Sequence, residues 1–452
     1  MSNPIKGYNS KDAKSIEEYA KKLLNKSLRQ VIGNTLVQKY GGKGNFGQIL
    51  EDAYFGIKPN SKTLPDFEDA GVEMKTNPLV KKKQHLVSKE RLVFNIINYE
   101  EECKKTFKTS SFWTKNNLLL LMFFLYEKEK SELDYIFKII SLWKFPEEDL
   151  KIIQDDWEKI VSKIKEGKAH EISEGDTLYL GACTKGASKQ SLRKQPYSEI
   201  QAMQRAFSLK QKYLNYIIAD LLVKQGLIDK TLLQIESEPV VKKLKDYGTL
   251  ATFEDLVISK FKAFYNVSEE ELLKKFPSVN RVSKQRYYDF AKEILGIRGK
   301  HIEEFEKADV ELKTIRLGKT GNLKESMSFA QIKFDEIVNE EWHDSYWFNT
   351  LTKRFFFVIF QEDDSGVQRL KKVMFWTMPA QDLEISREFW EDTREKIKKD
   401  DYSHFIKISD DKICHVRPKG KDSKDLMKTP SGRMEKKKCY WLNSEYIKRV
   451  VS

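Results

Sequence analysis

Three side chains stand at a spacing that could hydrolyse a phosphodiester. Asp66 follows Pro65 at a turn, and Glu73 and Lys75 lie two residues apart in Gly71-Val-Glu-Met-Lys75. Val72 and Met74 alternate with the charged pair, the period of a strand, so Glu73 and Lys75 share one strand face. In a chain whose residues are 33% charged, a Glu-x-Lys triplet is ordinarily a solvated strand face. The turn with Asp66 just before it changes that reading, because two carboxylates and an ammonium then converge. Asp66 and Glu73 would offer hard oxygens to Mg²⁺, the ion would stabilise charge on a scissile phosphate, and Lys75 would orient the attacking water. Glu51, in the helix-like Gly47–Tyr54 segment, could support a ligand or a second ion; an exposed helix carboxylate is the plain alternative.

Other chemistries find less support. None of the six histidines falls in an HExxH or a zinc-spaced cluster, and neither a GxSxG elbow nor a GxxxxGK[ST] phosphate loop occurs. The glycines of Gly41-Gly-Lys-Gly-Asn-Phe-Gly47 lack the phosphate-loop spacing and read as a flexible loop that could bring Lys43 near phosphates.

The elements that position these residues are written twice. Phe67-Glu-Asp-Ala-Gly-Val-Glu-Met-Lys-Thr76 recurs as Phe305-Glu-Lys-Ala-Asp-Val-Glu-Leu-Lys-Thr314. Ser15-Ile-Glu-Glu18 and Thr252-Phe-Glu-Asp255 each resemble the opening of a capped helix. Trp157-Glu158 answers Trp390-Glu391, Lys185-Gly186 answers Lys419-Gly420, and Ala206-Phe-Ser-Leu209 answers Cys439-Tyr-Trp-Leu442. The apolar runs Leu118–Tyr126 and Phe355–Phe360 suit buried central strands. Two diverged copies of one mixed α/β domain are expected, 1–230 and 231–452, joined in the Lys224–Thr249 stretch.

The 452 residues exceed one ordinary domain, and 81 Lys+Arg against 68 Asp+Glu, a formal charge of +13, favour a polyanionic partner. The longest apolar run is less than half of the ~20 residues a membrane span needs, so a soluble, cytoplasmic chain without a membrane partner is expected. Four scattered cysteines imply neither a disulfide framework nor a structural zinc.

Gly44-Asn-Phe-Gly-Gln-Ile-Leu-Glu51, Phe55-Gly56, Pro59-Asn-Ser61 and Asp66–Lys75 resemble the core of the MutH family, which comprises the mismatch-repair nicking endonuclease and related type II restriction enzymes of the Sau-three-AI kind. The similarity to the latter is closer: it includes the duplicated architecture and segments such as Ser88–Glu100, Thr109–Phe112, Glu166–His170 and Gln204–Lys210. The resemblance implies tandem restriction-endonuclease-like PD-(D/E)xK domains, each a mixed central sheet flanked by helices, Mg²⁺-dependent cleavage and recognition of duplex GATC. It assigns Asp66, Glu73 and Lys75 to the catalytic triad, with Glu51 and Lys115 beside it. It places Lys185, in Cys183-Thr-Lys-Gly-Ala187, on DNA, and with it Arg205 and Lys210.

In the second copy the matching loop is Arg417-Pro-Lys-Gly420, and an arginine can hold guanine O6 and N7 bidentately, so Arg417 and Lys419 are DNA contacts there. Glu304 stands at the Asp66 position, Asp309 at the Gly71 position and Ala291 at the Glu51 position, while Glu311 and Lys313 remain. The second copy is therefore expected to bind a second GATC site as an effector without cutting. Self-association on DNA and a methyltransferase protecting the host follow from that reading. Its rivals are a strand-nicking repair endonuclease and a non-catalytic DNA-binding protein.

Overall fold

The computed structural model describes residues 7–33, 46–57, 64–82, 85–186, 191–228, 237–324, 326–410, 413–422 and 424–452. The expected junction at 230/231 lies outside the described residues, as does Lys43.

Among the described residues the first half contains nine strands: β1 (Glu73–Lys82), β2 (His85–Ser88), β3 (Leu92–Ile96), β4 (Leu119–Leu125), β5 (Ile136–Trp143), β6 (Leu180–Thr184), β7 (Leu192–Gln195), β8 (Ser198–Met203) and β9 (Arg205–Leu209). They form a mixed sheet of order β2-β1-β4-β5, a second sheet β3-β9-β6 and a hairpin β7-β8. β4 is buried along almost its whole length, because both faces of its sheet are covered; that is why Leu119-Leu-Leu-Met-Phe-Phe-Leu125 reads as a continuous apolar run. Outside the sheet, the helix Glu147–Lys165 opens with Glu147, Glu148 and Asp149 and closes with Lys163 and Lys165, each set complementing the nearer end of the helix dipole. Its buried Ile153, Trp157, Ile160 and Ile164 recur at helical spacing and turn one face to the core.

After two short strands, β10 (Ser237–Glu238) and β11 (His301–Ile302), the plan repeats: β12 (Val310–Leu317), β13 (Met327–Gln331), β14 (Arg354–Glu362), β15 (Gln368–Trp376), β16 (Cys414–Pro418), β17 (Leu426–Lys428), β18 (Met434–Lys436) and β19 (Lys438–Leu442). Their sheets are β12-β14-β15 and β13-β19-β16, with the hairpin β17-β18. The register is shared. Glu73 pairs with Leu119 across the parallel β1/β4 ladder, and Glu311 pairs with Phe355 across the parallel β12/β14 ladder. A tertiary hydrogen bond is duplicated as well: Tyr213 Oη donates to Asp149 at 2.9 Å, and Tyr446 Oη donates to Asp382 at 2.8 Å. Only the first half, among the described residues, adds an outer strand (β2) to its main sheet.

The two halves are not separate beads. One continuous cluster of buried side chains includes Leu121, Trp157 and Tyr213 from the first half with Phe253, Phe305 and Phe356 from the second. Lys307 crosses the boundary to Asp149 at 3.0 Å with both side chains almost fully buried, and Arg354 Nη1 donates to the Gly175 carbonyl at 2.6 Å.

One local expectation needs correction. The first helix runs Ala13–Lys21 and is capped by Asp12, whose carboxylate accepts from the Ser15 amide, so Ser15 is inside the helix. Glu73, expected at the site and not on an ordinary solvated strand face, is only 2% exposed. By contrast Thr252 does cap the helix Phe253–Lys262, accepting from the Asp255 amide.

Candidate active site

The acids and lysines expected at the site come from four separate elements. Glu51 lies in a π-helical segment, Leu50–Phe55, that continues the helix Phe46–Ile49; such wide turns recur at functional sites because they re-aim one side chain. Asp66 precedes a 3₁₀ turn, Glu68–Ala70, closed by Gly71 in the left-handed region at φ +64°. Glu73 and Lys75 begin β1, and Lys115 lies in the last turn of the helix Ser111–Asn116, which is capped by Ser110.

The turn locks the two nearest acids to each other. The Asp66 amide donates to Glu73 Oε2 at 3.1 Å, and the Met74 amide donates to Asp66 Oδ2 at 3.0 Å. Lys75 Nζ reaches Glu73 Oε1 at 2.7 Å, with Lys115 Nζ 3.6 Å from the same oxygen. Burial is the main influence raising the Glu73 carboxyl above its ordinary pKa, and the Lys75 ammonium opposes it. Glu51 is pushed up to about 7, first by burial and then by the nearby charges of Asp66 and Glu73. Three carboxylates therefore repel one another in a partly dry cleft, and a cation would relieve that repulsion.

The donor set suits a hard divalent ion. No three side chains of His, Cys, Asp or Glu among the described residues stand close enough to hold a metal by themselves. Mg²⁺ usually takes one or two carboxylates and completes its shell with water and substrate phosphate, and Asp66 with Glu73 is such a pair.

The second half keeps the frame and disperses these groups. Glu311 and Lys313 remain paired at 2.7 Å, and Asp309 adopts φ +53° where Gly71 stands in the first copy, a conformation Asp tolerates better than most residues. Glu304, however, lies in a helix, Glu303–Ala308, and its buried carboxylate accepts from the Val240 and Val241 amides, both at 2.9 Å. Ala291 is fully buried. Ser345 caps the helix Tyr346–Leu351 just as Ser110 caps its counterpart, but that helix ends in Asn349-Thr-Leu351 and supplies no lysine at the Lys115 position.

The basic loops occupy equivalent places. Cys183 pairs with Ala206 and Arg417 with Cys439, while the Lys185 amide donates to the Gln204 carbonyl at 2.7 Å and the Lys419 amide to the Lys437 carbonyl at 2.9 Å. Lys185, Arg417 and Lys419 are exposed. The Arg417 guanidinium lies 4.3 Å from the Trp441 ring centre, and Lys419 Nζ donates to Ser328 Oγ at 2.6 Å.

Two expected DNA contacts lie elsewhere. Lys210 is 8% exposed and donates to the Thr177 carbonyl, so it secures the start of the helix Gln211–Lys224 and presents no ammonium to a duplex. Arg205 is half-buried, with Nη1 on the Ala182 carbonyl at 2.7 Å. Sequence reasoning missed a basic wall in the second half, Lys284, Arg286 and Arg316 around Lys313; its signal was the Lys284-Gln-Arg286 run before the helix Arg286–Leu295.

A mixed-sheet frame built twice in one chain, with two acids and a lysine gathered beside a helix carboxylate in the first copy, defines a tandem nuclease-like protein. A family model described as "DNA mismatch repair enzyme MutH" matches residues 55–156 and 297–388, a segment in each half. The chain is also similar to a curated protein, the type II restriction enzyme Sau3AI of Staphylococcus aureus, with 37% identity over 497 aligned positions covering 96% of this chain and 99% of the relative. The chain belongs to this family of MutH-related type II restriction endonucleases. No helix among the described residues is long and apolar enough to cross a membrane.

Proposed function

We propose that this chain is a cytoplasmic, Mg²⁺-dependent restriction endonuclease that cleaves double-stranded DNA at GATC, with catalysis in a first domain (1–230) and effector binding of a second GATC site in a second (231–452). The observation that carries this reading is the contrast between the copies: five candidate groups meet in the first cleft, whereas the second retains only the Glu311–Lys313 pair.

Bound between Asp66 and Glu73, Mg²⁺ would supply charge neutralisation on the scissile phosphate. Lys75 and Lys115, both anchored on Glu73 Oε1, position the attacking water and meet the charge that develops on the phosphate oxygens. With its pKa near 7, Glu51 can accept a proton from that water or steady a further ligand. Lys185 and Arg417 contact DNA from equivalent loops, Lys185 at the cleaved site and Arg417 with Lys419 at the effector site. One competent cleft per chain cannot sever both strands of a palindrome in a single placement, so two chains associate on DNA. A methyltransferase marking GATC would protect the host.

Supercoiled plasmid incubated with the chain and Mg²⁺ tests the proposal. Linear fragments ending at GATC are expected. Nicked circles would transfer the chain to strand-nicking repair, and unchanged plasmid would leave only a DNA-binding protein.

A further inference from the structure

The second cleft has not simply lost its chemistry; it has gathered cations. A cavity of about 560 Å³ opens beside β12 and β13, and among the described residues the charged side chains lining it are Lys284, Arg286, Lys313 and Arg316. Glu269 holds Arg286 from behind and Glu311 holds Lys313, which fixes both cations in place at the wall. In the first cleft three carboxylates face two lysines, so a phosphate is repelled until a cation is added.

The basic wall is continuous with the candidate base-reading loop. Ser328 lines the cavity and accepts from Lys419 Nζ at 2.6 Å, and Lys313 Nζ lies 5.3 Å from the ring centre of the adjacent Phe329. The corresponding residue in the first half is Val93, as the shared β3/β9 and β13/β19 registers show, and valine cannot make that hydrogen bond. Among the described residues, this bond pins loop and cavity together in the second half.

We infer that the second cleft grips a DNA backbone phosphate directly, through Lys284, Lys313 and Arg316, without any divalent cation. The inference deepens the proposed effector role and rests on that reading. The basic cavity becomes a purely electrostatic phosphate seat, so effector binding persists where catalysis and cation-dependent binding do not. Arg286, tied to Glu269 and packed over Tyr287, serves as the fixed rear of the seat.

Fluorescence anisotropy of the full-length chain on a duplex with one GATC site, titrated over a salt series in EDTA and again in Ca²⁺, separates the possibilities. Binding in EDTA is expected. Lys284→Glu, an exposed change that spares the core, and the double variant Lys313→Gln/Arg316→Gln should each weaken it by about tenfold or more and lower the salt slope by about one per lost phosphate contact. The increment added by Ca²⁺ should disappear in Asp66→Ala. A duplex bound only in Ca²⁺, or EDTA binding indifferent to both sets of variants with unchanged melting temperatures, overturns the phosphate seat alone. No binding of the GATC duplex under either condition overturns the functional reading beneath it.

Discussion

Between the two clefts the backbone is nearly constant and the side chains are not. β1 and β12 run parallel to β4 and β14 in the same register, the residues two places before Glu73 and Glu311 are left-handed, and a serine-capped helix precedes β4 and β14 alike. Yet the first cleft gathers Glu51, Asp66 and Glu73 around two lysines, while the second sends one acid away and leaves a wall of cations. A scaffold fixes where chemistry can occur; which side chains reach that place decides whether it does.

The sharpest way to break the comparison is to remove the acids and lysines asymmetrically. Asp66→Ala or Lys75→Ala should lower the plasmid cleavage rate by about three orders of magnitude, the scale of losing a group that stabilises developing charge. Glu311→Ala, at the position of Glu73 in the other copy, should leave that rate near wild type. Loss of cleavage in Glu311→Ala, measured under Mg²⁺ in excess, would mean that both clefts cut.

Lys115 comes next. It has no basic counterpart in the second half, so Lys115→Ala tests whether that absence matters. Its Nζ is farther from Glu73 than Lys75 Nζ is, 3.6 against 2.7 Å, and a smaller loss of about a hundredfold in single-turnover rate is expected, with duplex affinity in Ca²⁺ unchanged. A change confined to affinity would reassign Lys115 to phosphate binding.

Much of this was legible in the sequence, and the remainder was hidden for physical reasons. The duplication, the central strands and the Asp66–Glu73–Lys75 spacing are properties of order and period, which sequence carries directly. Glu304 shows the limit. It stands five residues before Asp309 just as Asp66 stands five before Gly71, so the alignment is sound. The local backbone differs, though: Phe67 is non-helical and bridges back to Val72, whereas residues 303–308 wind into a helix that turns Glu304 towards Val240 and Val241. Lys210 is a second case. The resemblance places it on DNA, but the helix it precedes is packed against the core, and the ammonium satisfies a buried carbonyl instead.

A finer comparison concerns the loops. Lys185 and Arg417 belong to matching loops, but Arg417 is stacked on Trp441. Lys185→Ala should slow cleavage of one-site and two-site plasmids equally, while Arg417→Ala should mainly erase any advantage of the two-site plasmid. Each effect should be about 1–3 kcal/mol in discrimination if a base is read, and uniform across sequences if only phosphate is touched. Identical profiles for the two variants, across several salt concentrations, would show that the loops are not specialised.

The smallest expected effect bears on the acid that left the cleft. Burial raises the Glu304 carboxyl to about 7, although two backbone amides favour its ionised form. Its ordinary value is 4.5, so between that pH and about 7 the folded chain keeps a proton that the unfolded chain has released. The stabilising contribution is complete below the ordinary value and is lost as pH rises through about 7. Glu304→Gln cannot ionise, and its amide nitrogen cannot accept from the second backbone amide. The variant should therefore be less stable than wild type at pH 5, by about 1 kcal/mol for the lost hydrogen bond, and the order should reverse by pH 8, where the wild type has lost the contribution of its proton. Melting temperatures at the two pH values measure this directly, and plasmid cleavage should be unaffected. A gap that stays constant with pH would show that Glu304 remains ionised in the fold, and a loss of cleavage would return it to the catalytic machinery.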